Sequence, residues 1–195
     1  VRLLWRRYLL ARGPLAVSDK RRMHVVIGGL GQMGEAVLLR VVKSGHFANG
    51  RKPAITVVDR DMKGVQSRIL YRYPRIQALC DLDFIEAEIG LPDTARKVGA
   101  RLAAPDEIGT VVLCADNDNE NFASSLQWAS ELSRQDIPIY VRLVLATGLA
   151  ELLNAERSSS ALARQIDAFG LVSACCSADA VLEDSICLNA RRFHN

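Results

Sequence analysis

An apolar run that breaks into spaced glycines constrains this chain more than any other feature. Residues 24–36 read HVVIGGLGQMGEA. A strand over 24–28 runs into Gly29-x-Gly31-x-x-Gly34, and a helix opens at once. In a strand–turn–helix unit each glycine has its own duty. The first allows the tight turn, the second removes a side chain so that backbone can approach an anion, and the third lets the helix lie close to the strand. Backbone amides and the dipole at the helix start then favour a phosphate. Gly29, Leu30, Gly31, Gln32, Met33 and Gly34 therefore form a candidate phosphate cradle.

The rest of the chain repeats the strand–helix rhythm. Apolar, non-alternating strands are predicted over 24–28, 54–59, 83–89, 109–115, 137–144 and 166–173. Helices are predicted over 32–45, 61–73, 91–103, 117–135 and 146–156, with a last one over 177–193. The longest should bury Phe122, Leu126, Ala129 and Leu132 on one stripe. Residues 157–165, RSSSALARQ, read as a linker. Strands buried on both faces and separated by helices form a parallel sheet covered on both sides. Right-handed crossovers then impose a doubly wound order. The expected fold is α/β: a Rossmann-like doubly wound, mainly parallel six-stranded sheet with helices on both faces. Its ligand crevice lies at the carboxyl ends of the strands.

Charge divides the 195 residues unevenly. The formal net charge is +3. Residues 1–22 hold seven Lys or Arg and one acid, about +6, so the remainder sums to −3. A mildly acidic body argues against a nucleic-acid partner. The lead, VRLLWRRYLLARGP, reads as an amphipathic helix stopped by Gly13-Pro14. Two readings stand for it: a surface helix packed on its own domain, or a membrane-proximal connector with Arg beside Trp and Leu. No apolar stretch reaches the about 18 residues that span a bilayer. The expected organisation is a basic lead over 1–22, a nucleotide-binding domain over 23–173 and a C-terminal helix over 174–195. The opening Val1 and the cut last helix suggest part of a longer chain.

Further candidates cluster at predicted strand exits. Asp59 ends the second strand, where a carboxylate can accept both ribose hydroxyls of an adenosine; its other reading is a cap for the next helix. Arg60 follows, placed to meet a 2′-phosphate or to stack on adenine. Glu88 lies near the end of the third strand, beside an adenine or in solvent. The fourth strand runs out into ADNDNENF, residues 115–122, so Ala115, Asp116, Asn117, Asp118 and Asn121 crowd the crevice floor. Asn117 or Asp118 can cap the long helix. One of Asp116 and Asn121 should face the ligand.

Catalytic patterns are missing from this reading. A hydride-transfer enzyme needs a proton-handling group beside the nicotinamide and a substrate-binding region. His24 starts the first strand, His46 follows the first helix and His194 lies in the tail; they suggest neither that group nor a metal site. The five cysteines form no Cys-x-x-Cys pair and read as reduced, mostly buried thiols. No catalytic residue is assigned, and the expectation is a protein without enzymatic activity.

Four segments, HVVIGGLGQMGEAVLLRVV, ITVVDRD, VVLCADNDNENFASSLQWASEL and IPIYVRL, together resemble the TrkA-type, or RCK, nucleotide-binding domain. The resemblance covers residues 24–145 in order. Asp118 and Asn121 match the family's acid–x–x–Asn entry to its fourth helix. Glu88 stands where the family often has Gly-Asp, Gln32 where it often has Arg, and residues 146–195 do not read as its usual C-terminal subdomain. The resemblance implies a cytoplasmic regulatory module. It would bind NAD(H) or ATP/ADP and work as a homodimer or higher homo-oligomer. It would control a potassium channel or transporter segment lying N-terminal to residue 1. The alternative is an NAD(P)-dependent oxidoreductase whose substrate-binding part is absent from this chain.

Overall fold

Six parallel strands, ordered β3-β2-β1-β4-β5-β6, form the sheet of the computed structural model, which describes residues 15–172 apart from 133 and 135. The strands are β1 Arg22–Gly28, β2 Ala54–Asp59, β3 Asp81–Glu86, β4 Glu107–Leu113, β5 Ile139–Arg142 and β6 Ile166–Phe169. The helices are α1 Gln32–Ser44, α2 Met62–Arg72, α3 Ile76–Leu79, α4 Pro92–Leu102, α5 Asp118–Glu131, α6 Thr147–Glu156 and α7 Ala161–Gln165. The doubly wound α/β expectation holds, and every strand pair is parallel. The predicted helices over 1–14 and 177–193 lie outside the described residues.

Local chemistry sets the element ends. Gly45 stops α1, its amide closing on the Val41 carbonyl at 2.7 Å. Asp61 caps α2 by accepting from the Gly64 amide at 3.2 Å. α2 ends at Arg72, since Pro74 forbids helical geometry before it. Pro92 opens α4, where its missing N–H costs nothing. Asn117 caps α5 through the Asn119 and Glu120 amides.

Side-chain alternation along the strands builds two cores. Val25, Ile27, Ile55, Val57 and Val112 face α1, α2 and α3. Val26, Val58, Val111, Leu113, Ile139 and Val141 face the layer containing α4, α5 and α6. β1 sits centrally, in register with β2 from His24↔Ala54 and with β4 from Arg22↔Glu107. The chain reverses its winding between β3 and β4, so the crevice opens between the ends of β1 and β4.

Several boundaries differ from expectation. β3 and β4 start two residues early and stop short of 89 and 115. The apolar residue Ile89 still packs in the second core, and its carbonyl accepts the Trp128 indole N–H at 2.8 Å. It is a buried loop residue, which apolar pattern alone reads as strand. Two short helices, α3 and α7, replace expected loop and linker; Ser160 caps α7 through the Ala163 amide. α5 keeps most of the expected stripe: Ala129 and Leu132 are buried and Phe122 packs on the second core, but the inner face is turned away from Leu126. The helix buries Asn121, Ser124, Ser125, Trp128 and Ala129, while Leu126 is 37% exposed.

Candidate functional site

A crevice of about 520 Å³ lies at the carboxyl ends of β1, β2 and β4. Gly29 makes its floor possible. It sits at φ +83°, a left-handed conformation suited to glycine, and a Cβ there would stand 2.8 Å from the Ala115 nitrogen. Gly34 lets α1 cross the loop, since a Cβ there would collide with the Gly29 carbonyl. Gly31 is different. Its φ is −70°, and the nearest atom to a Cβ would be a carboxylate oxygen of Asp116 at 3.5 Å. Backbone geometry would tolerate another residue there. The hollow in front of it is a cradle that a side chain would fill.

No side chain caps the start of α1. The first four amides of a helix have no partner within it, so those from Gly31 to Gly34 present a partial positive charge toward the crevice. The upstream amides are spent. Gly29 N–H donates to the Val58 carbonyl at 2.9 Å, and Leu30 N–H donates to Asp59 Oδ2 at 2.7 Å. The expectation that the Gly29 amide helps hold a phosphate is therefore corrected; that glycine shapes the turn instead.

Asp59 lines the crevice at the end of β2. Its Oδ1 accepts from the Asp61 amide at 3.1 Å and its Oδ2 from Leu30, so each oxygen keeps a further acceptor position for a ligand hydroxyl. Helix capping falls to Asp61. Arg60 reaches across the mouth, its Nη2 3.9 Å from Glu120 Oε1. Arg68 closes the other flank and donates to the Leu30 carbonyl.

The polar run after β4 divides its labour. Asp116 projects into solvent at the crevice with its side chain 94% exposed, 3.7 Å from Arg142. Asn117 lines the crevice and caps α5. Asp118 turns away, one oxygen accepting from the amides of Val144, Leu145 and Ala146 at 2.8, 2.8 and 3.1 Å. Asn121 is fully buried; it accepts from the Ala115 amide at 2.8 Å and donates to the carbonyls of Ala115 and Arg142. Of Asp116 and Asn121, only Asp116 faces the crevice.

Gly29, Leu30, Gly31, Asp59, Arg60, Ala115, Asp116 and Asn117 thus converge on one hollow. Glu88 does not; it is exposed beyond β3, and Ile89 lines the crevice in its place. Gln32 points to solvent, and Met33 packs on the first core. Sequence reasoning missed Asp61, Val65, Arg68 and Glu120. The first three carried a signal, since residues 61, 65 and 68 fall on one face of α2.

Four carboxylates (Asp59, Asp61, Asp116, Glu120) and two guanidiniums (Arg60, Arg68) line the crevice. Burial pushes the Cys114 thiol up to about 12, with the Arg142 cation opposing, so this lining residue is a poor nucleophile. Among the described residues no group of three or more His, Cys, Asp or Glu is placed to hold a metal ion. No described helix is long and apolar enough to cross a membrane. Sequence comparison finds no matching protein-family model and no matching curated protein.

Proposed function

We propose that the crevice binds an adenine nucleotide, NAD(H) or ATP/ADP, and that the domain is a regulatory binder rather than an enzyme. The observation that carries this is the pairing of the uncapped α1 terminus, open at Gly31, with the Asp59 carboxylate at the neighbouring strand end. Phosphate suits the first and ribose hydroxyls suit the second. The crevice volume falls within the usual range for small-ligand sites. The net negative lining favours a dinucleotide over a free triphosphate, which carries more charge. Among the described residues its one lining thiol, Cys114, is held protonated by burial, and no histidine lines it.

The sequence resemblance to TrkA-type domains adds the biological reading. Binding would change the packing between two copies of the domain and act through residues 1–22 on a potassium channel or transporter at the cytoplasmic face of a membrane. Such control requires that the nucleotide favour one packing over the other.

A thermal-unfolding panel of NAD, NADH, NADPH, ATP, ADP and cyclic nucleotides tests the reading. A ligand at 100 times its dissociation constant adds about 2.7 kcal/mol of stability. Gly31→Asp, which fills the cradle with a carboxylate, should remove the shift. No stabilisation by any nucleotide, or the same shift in the variant, overturns the site. Steady consumption of NADH or NADPH with a substrate overturns the regulatory reading.

A further inference from the structure

The opposite end of the sheet carries a surface with different chemistry. Two hollows there share Leu79. One, of about 430 Å³, is walled by Leu39, Val42, Tyr73, Pro74 and Ile76, with Lys43 and Arg75 at its rim. The other, of about 270 Å³, is lined by His46, Phe47, Arg51 and Lys52. Among the described residues no carboxylate lines either hollow. The nearby acids are engaged: Asp19 with Arg21, Asp81 with Arg22, and Asp106 at 3.9 Å from Arg51. Lys43, Lys52 and Arg75 are exposed and form no ion pair among the described residues.

This surface is continuous with the entry of the chain into the fold. Asn49 Nδ2 donates to the carbonyls of Asp19 and Arg21, and Arg51 Nη1 donates to that of Lys20. The loop that lines the basic hollow is thus fastened to residues 19–21. Upstream lie residues 1–14, which hold four arginines, Trp5, Tyr8 and no acid.

We propose that this end of the domain docks on an anionic phospholipid surface. An apolar hollow with a cationic rim and no carboxylate suits an anionic amphiphile. Phosphates and acidic headgroups would meet Lys43, Lys52 and Arg75, and apolar lipid atoms would meet the exposed Leu79 and the half-buried Leu39. An acidic peptide would share the charge match. Residues 19–21 run along this face, and the sequence upstream of them carries four arginines, Trp5 and Tyr8. That composition is what favours the membrane, because aromatic and arginine side chains together suit the headgroup zone. The inference does not depend on nucleotide binding, since the crevice lies at the other end of the strands.

The test is co-sedimentation of the full chain with vesicles of phosphatidylcholine alone and of phosphatidylcholine and phosphatidylserine in equal parts. The chain should sediment with the second and not the first, and added salt should release it. Lys43→Gln, Lys52→Gln and Arg75→Gln combined should lower partition on the order of 100-fold, at about 1 kcal/mol per basic residue. That variant keeps residues 1–14, so unchanged sedimentation assigns binding to the lead alone and overturns the proposal. Leu79→Ser should also weaken partition while leaving the nucleotide shift intact. Failure of the parent chain to sediment, or equal sedimentation with both vesicles, overturns it. So does a dimer that dissociates in Leu79→Ser with sedimentation unchanged, which would assign the hollow to a second copy.

Discussion

The glycines separate binding from folding one residue at a time. Gly31 and Gly34 belong to one motif, but a Cβ at Gly34 would meet backbone and a Cβ at Gly31 would meet only a distant, movable carboxylate. Gly31→Ala should therefore cost less than about 1 kcal/mol of stability and still abolish nucleotide-induced stabilisation. Gly34→Ala should cost about 1–3 kcal/mol whether or not nucleotide is present, because the collision forces the helix away from the sheet. Thermal unfolding of both variants, with and without NAD, checks the contrast; similar losses in both would mean that the loop is turn geometry only. The glycine spacing and Asp59 were legible because their duties follow from strand–turn–helix geometry. The difference between Asp116 and Asn121 was not. The six polar residues 116–121 include no apolar marker of direction, and which side chain turns inward depends on where α5 starts.

α5 shows how far an element can be read from its apolar residues. Leu126 appeared to mark its inner face, but the helix packs through Ser124 and Ser125, whose small side chains allow close approach to the sheet, and through Trp128. Ala129 and Leu132 are buried as expected and Phe122 packs on the second core, so only Leu126 was misplaced. Small polar residues carry no hydrophobic signal, and periodicity could not show that Ser124 and Ser125 share the inner face. The same blindness hid α7 inside a serine-rich segment, where Ser160 acts as a cap rather than as linker. Asn121 fixes the rotation by fastening α5 to the ends of β4 and β5 at once. Asn121→Ala should strand a buried amide and weaken two carbonyls, at a cost of about 2–4 kcal/mol. Leu126→Ala should cost under about 1 kcal/mol, as for a partly exposed side chain. Denaturant unfolding of the two variants decides whether Asn121 or Leu126 faces inward; a larger loss for Leu126→Ala would place Leu126 in the core and overturn the observed rotation.

At the scale of the whole molecule, the parallel sheet sets two unlike ends apart, and the amino ends of β1, β2 and β4 enclose a titratable group that the crevice does not use. His24 is buried, its Nε2 2.9 Å from Thr56 Oγ1 and its Nδ1 3.7 Å from Glu107 Oε2. Burial depresses its pKa from 6.5 to about 4, the Arg22 and Arg101 cations act in the same direction, and Asp83 opposes them. The unfolded chain then takes up a proton below pH 6.5 that the folded chain refuses until about pH 4. Stability from this group is full above the first value and falls as pH drops toward the second, by about 3 kcal/mol in all. Glu107 has the opposite sign. Burial raises its pKa against the Arg22 hydrogen bond, so the folded chain holds that proton more tightly and gains stability as pH falls. Glu107 is present in both the parent and His24→Gln, so the difference between them isolates the imidazole. Between pH 6.5 and pH 4 the parent should lose stability more steeply than His24→Gln when unfolding is followed in denaturant. Parallel pH profiles would mean that water reaches this end of the sheet and that the imidazole charges there without penalty.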